Sequence, residues 1–490
     1  MWKLCQAGFA LSLIFLTATV SQGQTAPTNP TAELLLQLIR INTSNPPGNE
    51  EKVDEFLAAK LKPLGFQVEI IPTPAAGKSV FLARLKGNGT KKPILLAAHA
   101  DVVGVERAGW SVDPFAGVVE GGYIYGRGAI DNKGSLAVFT EALMRLAKNK
   151  VPLDRDIILL SEADEESGPY NTEWLAEHYF PKIDCAAALN EGGWIIQNPD
   201  GKVRYVSIST ADKISVWLQL TAHGVSTHSS MPVPNDAIFH LARALNRLAD
   251  YDPKVQLIPS TRQFFLTLAK TSQPPMSTAF YNLVNGKNPE QVAAADKEIS
   301  KNSLLHAIMR NTIAPVYLAA GFRGNVIPGM AAAKINLRLI PGTKIDDVIQ
   351  EIQSVIHDPS VDVTLASGAA PGTKDDIPAL RAHIEAESNV ALSSTDTDLY
   401  KALAAQAQAE FHAPVTPYLF QAGTDADAWR GRGIPVYGIY PYPIPAADLS
   451  GMHGDNERVA IRSLAEGTDM IYKVLVEVAA RPSHGTSGRD

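Results

Sequence analysis

Several apolar, strand-like runs in this chain end in the same way, on a side chain of metal-ligand type followed by a loop, and that recurrence restricts the folds open to it. In KPILLAAHAD the run from Pro93 to Ala98 reads as a buried strand that closes on His99 and Asp101. Ile157 to Leu160 runs into SEADEESG, residues 161 to 168, and the short strand of ALNEGG presents Glu191. GRGAIDNKG, residues 126 to 134, surrounds Asp131 with glycines ahead of a helix pattern from Ser135 to about Ala147. MHGDNER places His453 before a long C-terminal helix. Side chains at the carboxyl ends of strands in an open α/β sheet gather where such sheets bind ligands.

Taken singly, each piece has an ordinary reading. His99 and Asp101, with one residue between them, lean the same way, and a metal-bound imidazole needs its other ring nitrogen fixed, the role expected of Asp101. The same spacing recurs at His453 and Asp455, and a strand-end Asp also caps turns. Glu162, Asp164, Glu165 and Glu166 crowd five positions and repel one another unless cations or protons intervene, although a solvated acidic turn is the plainer alternative.

The combination is more specific. Two zinc ions are nearly balanced by the carboxylates of Asp131, Glu166 and Glu191 and one bridging hydroxide, with neutral imidazoles from His99 and His453. Adjacent side chains in DEES do not easily reach one ion together, so Glu166 is assigned as ligand and Glu165 as the base that takes a proton from metal-bound water. Cobalt or manganese are alternatives to zinc.

These motifs resemble the co-catalytic zinc metallopeptidases that include glutamate carboxypeptidase, aminoacylase, succinyl-diaminopimelate desuccinylase and carboxypeptidase S, the last branch above all. The likeness runs from about residue 30 to 480 through AAHADVV, the Trp110 to Phe115 stretch with DPF, GRGAIDNKG, DEESG, NEGG, THSSMP, NVIPG, NLRLIPG, AGTDA and MHGDNER. The resemblance implies that Asp131 bridges both metals, that His99 and Glu191 complete one site and Glu166 and His453 the other, and that the Asp131–Asn132 peptide is cis. It also implies that His228 of THSSMP steadies the developing oxyanion, often from a partner subunit, and that Asn325 and Arg338 help hold substrate. A guanidinium binds both oxygens of a carboxylate, which suits Arg338 to that grip; a structural ion pair is its ordinary alternative. Gly423 and Thr424 are read as pocket-lining and Asp425 as structural. The chain departs from the pattern after AGTDA, where many relatives carry a basic residue and Asp427 stands here, with Arg430 as the candidate substitute.

Composition places these motifs in a globular, exported enzyme. A length of 490 residues exceeds what one core usually supports, which argues for two domains, and 45% hydrophobic content is ordinary for a folded chain. Lys3 followed by the apolar run Ala7 to Val20 reads as an export signal cut near Gly23 or Ala26, implying a periplasmic or secreted protein with no stable membrane insertion. Cys185 is then the sole mature cysteine and reads as a buried, inert thiol. A net charge of -7 and the lack of a long basic run exclude nucleic acid as a natural partner.

Helix patterns at Thr31 to Ile41 and Glu50 to Leu61 precede strands near Gln67 to Ile71 and Val80 to Leu85, so helices and strands alternate as in an α/β layered domain with a mixed sheet. The pattern changes near Ala211. Strands at Ile214 to Ala222, Ala331 to Leu339 and Val361 to Leu365, with helices at Asn235 to Leu248 and Lys344 to Ile356, predict an inserted α+β, ferredoxin-like lid. A loop-rich, proline-containing stretch from Tyr251 to about Pro315 is expected to enlarge it. The catalytic domain resumes near Pro371, with a helix at Asp396 to Glu410 and a strand at Val436 to Tyr440. The expected organisation is a signal at 1–23, catalytic segments at 24–211 and 371–480, a lid at 212–370 through which two copies pair, and a frayed tail at 481–490.

The expected reaction is amide hydrolysis of a small peptide by metal-activated water, as in a carboxypeptidase or dipeptidase. Cleavage of N-acyl amino acids is the alternative, and a non-catalytic secreted binding protein is a third reading. A long apolar channel near Tyr251 to Pro315 would favour acyl chains, and a short polar one peptides.

Overall fold

The structure, a computed structural model, describes residues 29–368 and 375–481. The expected export signal, the lid-to-catalytic junction near 370 and all of the expected tail but Arg481 lie outside the described residues.

The apolar runs become the middle of a ten-stranded mixed sheet. Ile94–His99 lies between Ile157–Glu162 and Ala187–Asn190, and all three run parallel. Such strands are buried on both faces, which is why they read as continuous apolar runs. Alternate residues serve two cores. Ile94, Leu96 and Ala98 pack with Leu136 and Leu143 of the helix Lys133–Lys148 and with Val474 of Ile461–Ala479, whereas Leu95 and Ala97 pack with Leu175 and Trp429 on the other face. The sheet continues through Val436–Gly438, parallel to Ala187–Asn190, into Val203–Asp212. The strand expected at Val436 to Tyr440 thus stops two residues early.

A second, four-stranded antiparallel sheet runs in the order Thr312–Ala320, Met330–Leu339, Ile214–His223, Val361–Ala366. Ile214, Val216, Leu218, Leu220 and Ala222 alternate inward and meet Leu241 of Ala237–Ala249 and Val348 and Ile352 of Ile345–Ile356. Strand order and helix placement give the ferredoxin-like unit the alternation predicted. The chain passes between the two sheets at Lys213.

The stretch from Tyr251 to Pro315 is not loop-rich. It forms the helices Pro259–Thr271, Met276–Asn285, Pro289–Ile299 and Ser303–Met309, and then enters Thr312–Ala320. Pro259 and Pro289 open helices, where proline's missing N–H costs no hydrogen bond, and the side chains of Asn288 and Asn302 cap the last two. These helices enlarge the layer of the large sheet, not the lid. Phe264 packs edge-on to Tyr205 at 5.4 Å and against Tyr418 at 5.2 Å, within the larger core. The buried Lys213 Nζ ties them to the crossover by donating to the carbonyls of Ala307 and Arg310 at 2.9 and 2.8 Å.

Candidate metal centre

Three parallel neighbouring strands bring their carboxyl ends to one edge, and the metal-type residues follow from that. His99 ends the central strand, Glu191 follows Ala187–Asn190, and the loop after Ile157–Glu162 carries Glu165 and Glu166. Asp131 sits in the turn before the Lys133–Lys148 helix, and its peptide to Asn132 is cis, as the resemblance implied.

The two oxygens of Asp131 face different histidines. His99 Nε2 lies 3.0 Å from Asp131 Oδ1 and 3.4 Å from Glu191 Oε2. His453 Nε2 lies 3.1 Å from Asp131 Oδ2 and 3.0 Å from Glu166 Oε1. Ligand-type atoms of His99, Asp131 and Glu191 fall within 4.8 Å of one another, as do those of Asp131, Glu166 and His453. Two groups sharing one carboxylate are a cradle for two cations, and imidazole plus carboxylate donors suit zinc and its first-row neighbours. The electrostatics agree. Burial, then the Asp131 carboxylate, push Glu191 up to about 8, and burial followed by Glu191 pushes Glu165 well above the usual range. Asp131 and Glu166 push His453 up to about 10. Negative charge this crowded and dry is relieved by cations.

The expected role of Asp101 is split between its main chain and its side chain. The His99 Nδ1 partner is the Asp101 carbonyl oxygen at 2.9 Å, with the carboxylate at 3.4 Å. That carboxylate instead accepts the N–H groups of Glu165 and Glu166 at 3.3 and 3.1 Å and the Asn45 amide at 2.8 Å, anchoring the acidic loop. Glu165 Oε2 stands 4.0 Å from His99 Nε2, at the edge of the cluster.

A cleft of about 670 Å³ opens over these groups and includes Arg338, Gly423, Thr424 and Asp425. Arg338 comes from the small sheet and lines the cleft, its Nε donating to Asn336 at 3.2 Å. Thr424 Oγ1 donates to Asp212 at 2.5 Å, and the main-chain carbonyl of the buried Asp425 accepts the Thr172 hydroxyl at 3.1 Å. Arg430 does not replace the missing basic residue. It is buried, with Nη1 on Asp212 at 2.6 Å and Nη2 on the Val436 carbonyl at 3.1 Å, so both forks of its guanidinium are engaged in the fold.

His228 and Asn325 stay outside this group. The strand Thr227–His228 pairs with Val326–Ile327 in a short ribbon on the lid, where the exposed His228 bonds Ser230 Oγ at 2.7 Å and the Asn325 carbonyl accepts the Ser229 N–H at 3.0 Å. Neither lines the cleft.

Sequence reading missed three supports. Glu457 holds the Asp131 turn, the Asn132 amide donates to Glu191 Oε2 at 2.9 Å, and the Tyr440 hydroxyl lies 3.0 Å from the same oxygen. Glu457 lies inside MHGDNER and Asn132 inside GRGAIDNKG, so the motifs carried both signals. A second cavity of about 500 Å³, lined by Trp194, Leu268, Leu304, Leu305 and Leu449, shares Gln421 and Met452 with the metal cleft.

A sequence profile described as peptidase family M20/M25/M40 matches residues 95–477. The chain belongs to this family. It is therefore a hydrolytic metalloenzyme, and the M20 match spans every ligand candidate named above. Among characterised relatives, the mouse N-fatty-acyl-amino acid synthase/hydrolase PM20D1 is 25% identical over 90% of this chain and 85% of its own. The probable carboxypeptidase S-like 2 of Dictyostelium discoideum is 29% identical over 78% of this chain and 71% of its own. The M20 family metallo-carboxypeptidase Sso-CP2 from Sulfolobus solfataricus superposes with a TM-score of 0.64 at 18% identity, over 91% of this chain and 98% of that structure. The shared M20 fold is a catalytic layer with a lid.

Proposed function

We propose that the protein hydrolyses the amide bond of a small amino acid derivative with a free carboxylate, an N-acyl amino acid being favoured and a small peptide the second reading. The observation that carries it is the pair of ligand-type groups joined at Asp131, with Glu165 at their edge and Arg338 lining the same cleft. Two bound divalent ions would polarise the amide carbonyl and lower the pKa of an attacking water. Glu165 takes the proton from that water and passes it to the leaving nitrogen. Arg338 holds the substrate carboxylate through paired N–H groups, and Gly423 and Thr424 shape the pocket beside it.

The cavity beside the cleft is lined mostly by apolar side chains, with Arg204, Asn302 and Ser303 among them, which favours an acyl chain over a polar peptide, and the relative named for N-fatty-acyl-amino acid chemistry agrees. The peptide reading draws on the carboxypeptidase S-like relative. Val316, Leu318 and Phe322 are exposed on or beside the lid's outer strand, which supports pairing of two lids and delivery of His228 to the partner's oxyanion. Export to the periplasm or beyond is proposed from the N-terminal sequence alone. Zinc-loaded protein assayed on a panel of dipeptides and of N-acyl amino acids of increasing chain length, with product masses read directly, tests the reading. Faster cleavage of longer acyl chains supports it, and failure to cleave any amide contradicts it.

A further inference from the structure

Tyr440 lies two residues beyond the strand Val436–Gly438, and its ring is buried and stacked on Trp194, with centroids 4.7 Å apart and planes 16° from parallel. Its hydroxyl is directed at the proposed metal centre. The oxygen lies 3.0 Å from Glu191 Oε2 and 3.3 Å from Asp131 Oδ1, where it donates to a carboxylate. A phenol has a single proton to give, and the shorter contact is to Glu191. Glu191 Oε2 also accepts the Asn132 amide at 2.9 Å, so two donors converge on one oxygen of this carboxylate. Two donors on one oxygen fix the orientation of a carboxylate, and donors that orient a ligand in this way set its affinity for an ion.

We propose that Tyr440 is a positioning residue of the metal centre. Its hydroxyl, with the Asn132 amide, holds Glu191 Oε2, the oxygen that stands 3.4 Å from His99 Nε2, and so fixes this carboxylate beside His99 and Asp131. The inference rests on the reading of those three residues as metal ligands. It makes Tyr440 selective for one of the two ions, because Glu166 and His453 lie on the far side of Asp131.

The test is zinc binding by the metal-stripped full-length chain, followed by competition with a chromophoric chelator, for the wild type, Tyr440→Phe, Glu191→Ala and the double variant. Phenylalanine keeps the ring for the Trp194 stack, and the melting temperature of the stripped protein reports whether the fold is kept. Tyr440→Phe is expected to weaken one class of zinc site by about 10- to 100-fold and to leave the other within about threefold. In the Glu191→Ala background the same change should add no further loss, since the hydroxyl acts through that carboxylate. Two sites of wild-type affinity in Tyr440→Phe, an equal loss at both, or a full further loss in the double variant would each overturn the proposal. Should Tyr440→Phe fail to fold, Asn132→Ala alone carries the test, with the same one-site loss expected and unchanged binding contradicting it. A wild-type chain that binds no zinc would instead refute the ligand assignment, a result distinct from any of these.

Discussion

Glu457 accepts the backbone N–H of Asp131 at 3.0 Å and that of Ile130 at 2.7 Å through one carboxylate oxygen, while the other takes Gly128 N–H at 3.0 Å and Arg127 Nη1 at 2.7 Å. One buried side chain from the His453 loop thus fixes the turn that carries Asp131. Glu457→Ala leaves those N–H groups and a buried guanidinium without their acceptor. Breaking such a pair costs about 3–5 kcal/mol, which a denaturant titration of the metal-free protein would register as a lower midpoint. Stability within about 0.5 kcal/mol of wild type would show that the turn holds itself.

Glu165→Gln keeps the shape of the acidic loop but removes the proton acceptor. The variant should retain its metal content by elemental analysis and lose about 10²- to 10⁴-fold in kcat. Near-normal turnover would remove Glu165 from the role of base.

Replacing Arg338 by Met removes the cation that faces the metal groups from the lid side. A charge-assisted hydrogen bond is worth about 1.5–3 kcal/mol, so kcat/KM should fall about 10- to 100-fold, mainly through KM. Substrates whose carboxylate is converted to an amide should be handled alike by the variant and the wild type. A loss of the same size for amidated substrates would place Arg338 in the scaffold.

Much of the centre was legible because strand ends advertise themselves. His99 and Glu191 follow apolar runs whose length and composition predict buried parallel strands, and neighbouring parallel strands must deliver their ends to one edge. Partners fixed only in space were not legible. Arg430 reads as a free cation, but Asp212, 218 positions earlier in the chain, claims it inside the fold. Tyr440 reads as an aromatic strand residue, since nothing nearby in the sequence reveals that its hydroxyl meets two carboxylates. The helices between Pro259 and Met309 were hidden by their own prolines, which punctuate loops and open helices equally well.

Burial pushes the Cys185 thiol up to about 12, whereas an unfolded cysteine titrates near about 8.5. The folded state therefore favours the protonated form, so this contribution to stability is intact below about pH 8.5 and is lost as pH rises toward about 12. At pH 8 a thiol reagent should leave the native protein almost unlabelled and label it fully in denaturant. Rapid labelling of the native chain would place Cys185 at an accessible surface.

His99, Asp131, Glu166, Glu191 and His453 are proposed to form one dinuclear centre. Zinc per chain, measured by elemental analysis for the wild type and for Asp131→Ala, tests it most directly. Two ions per wild-type chain are expected, with loss of binding at both positions in the variant, because both groups share that carboxylate. A single ion in the wild type, or two ions undiminished in Asp131→Ala, would contradict it.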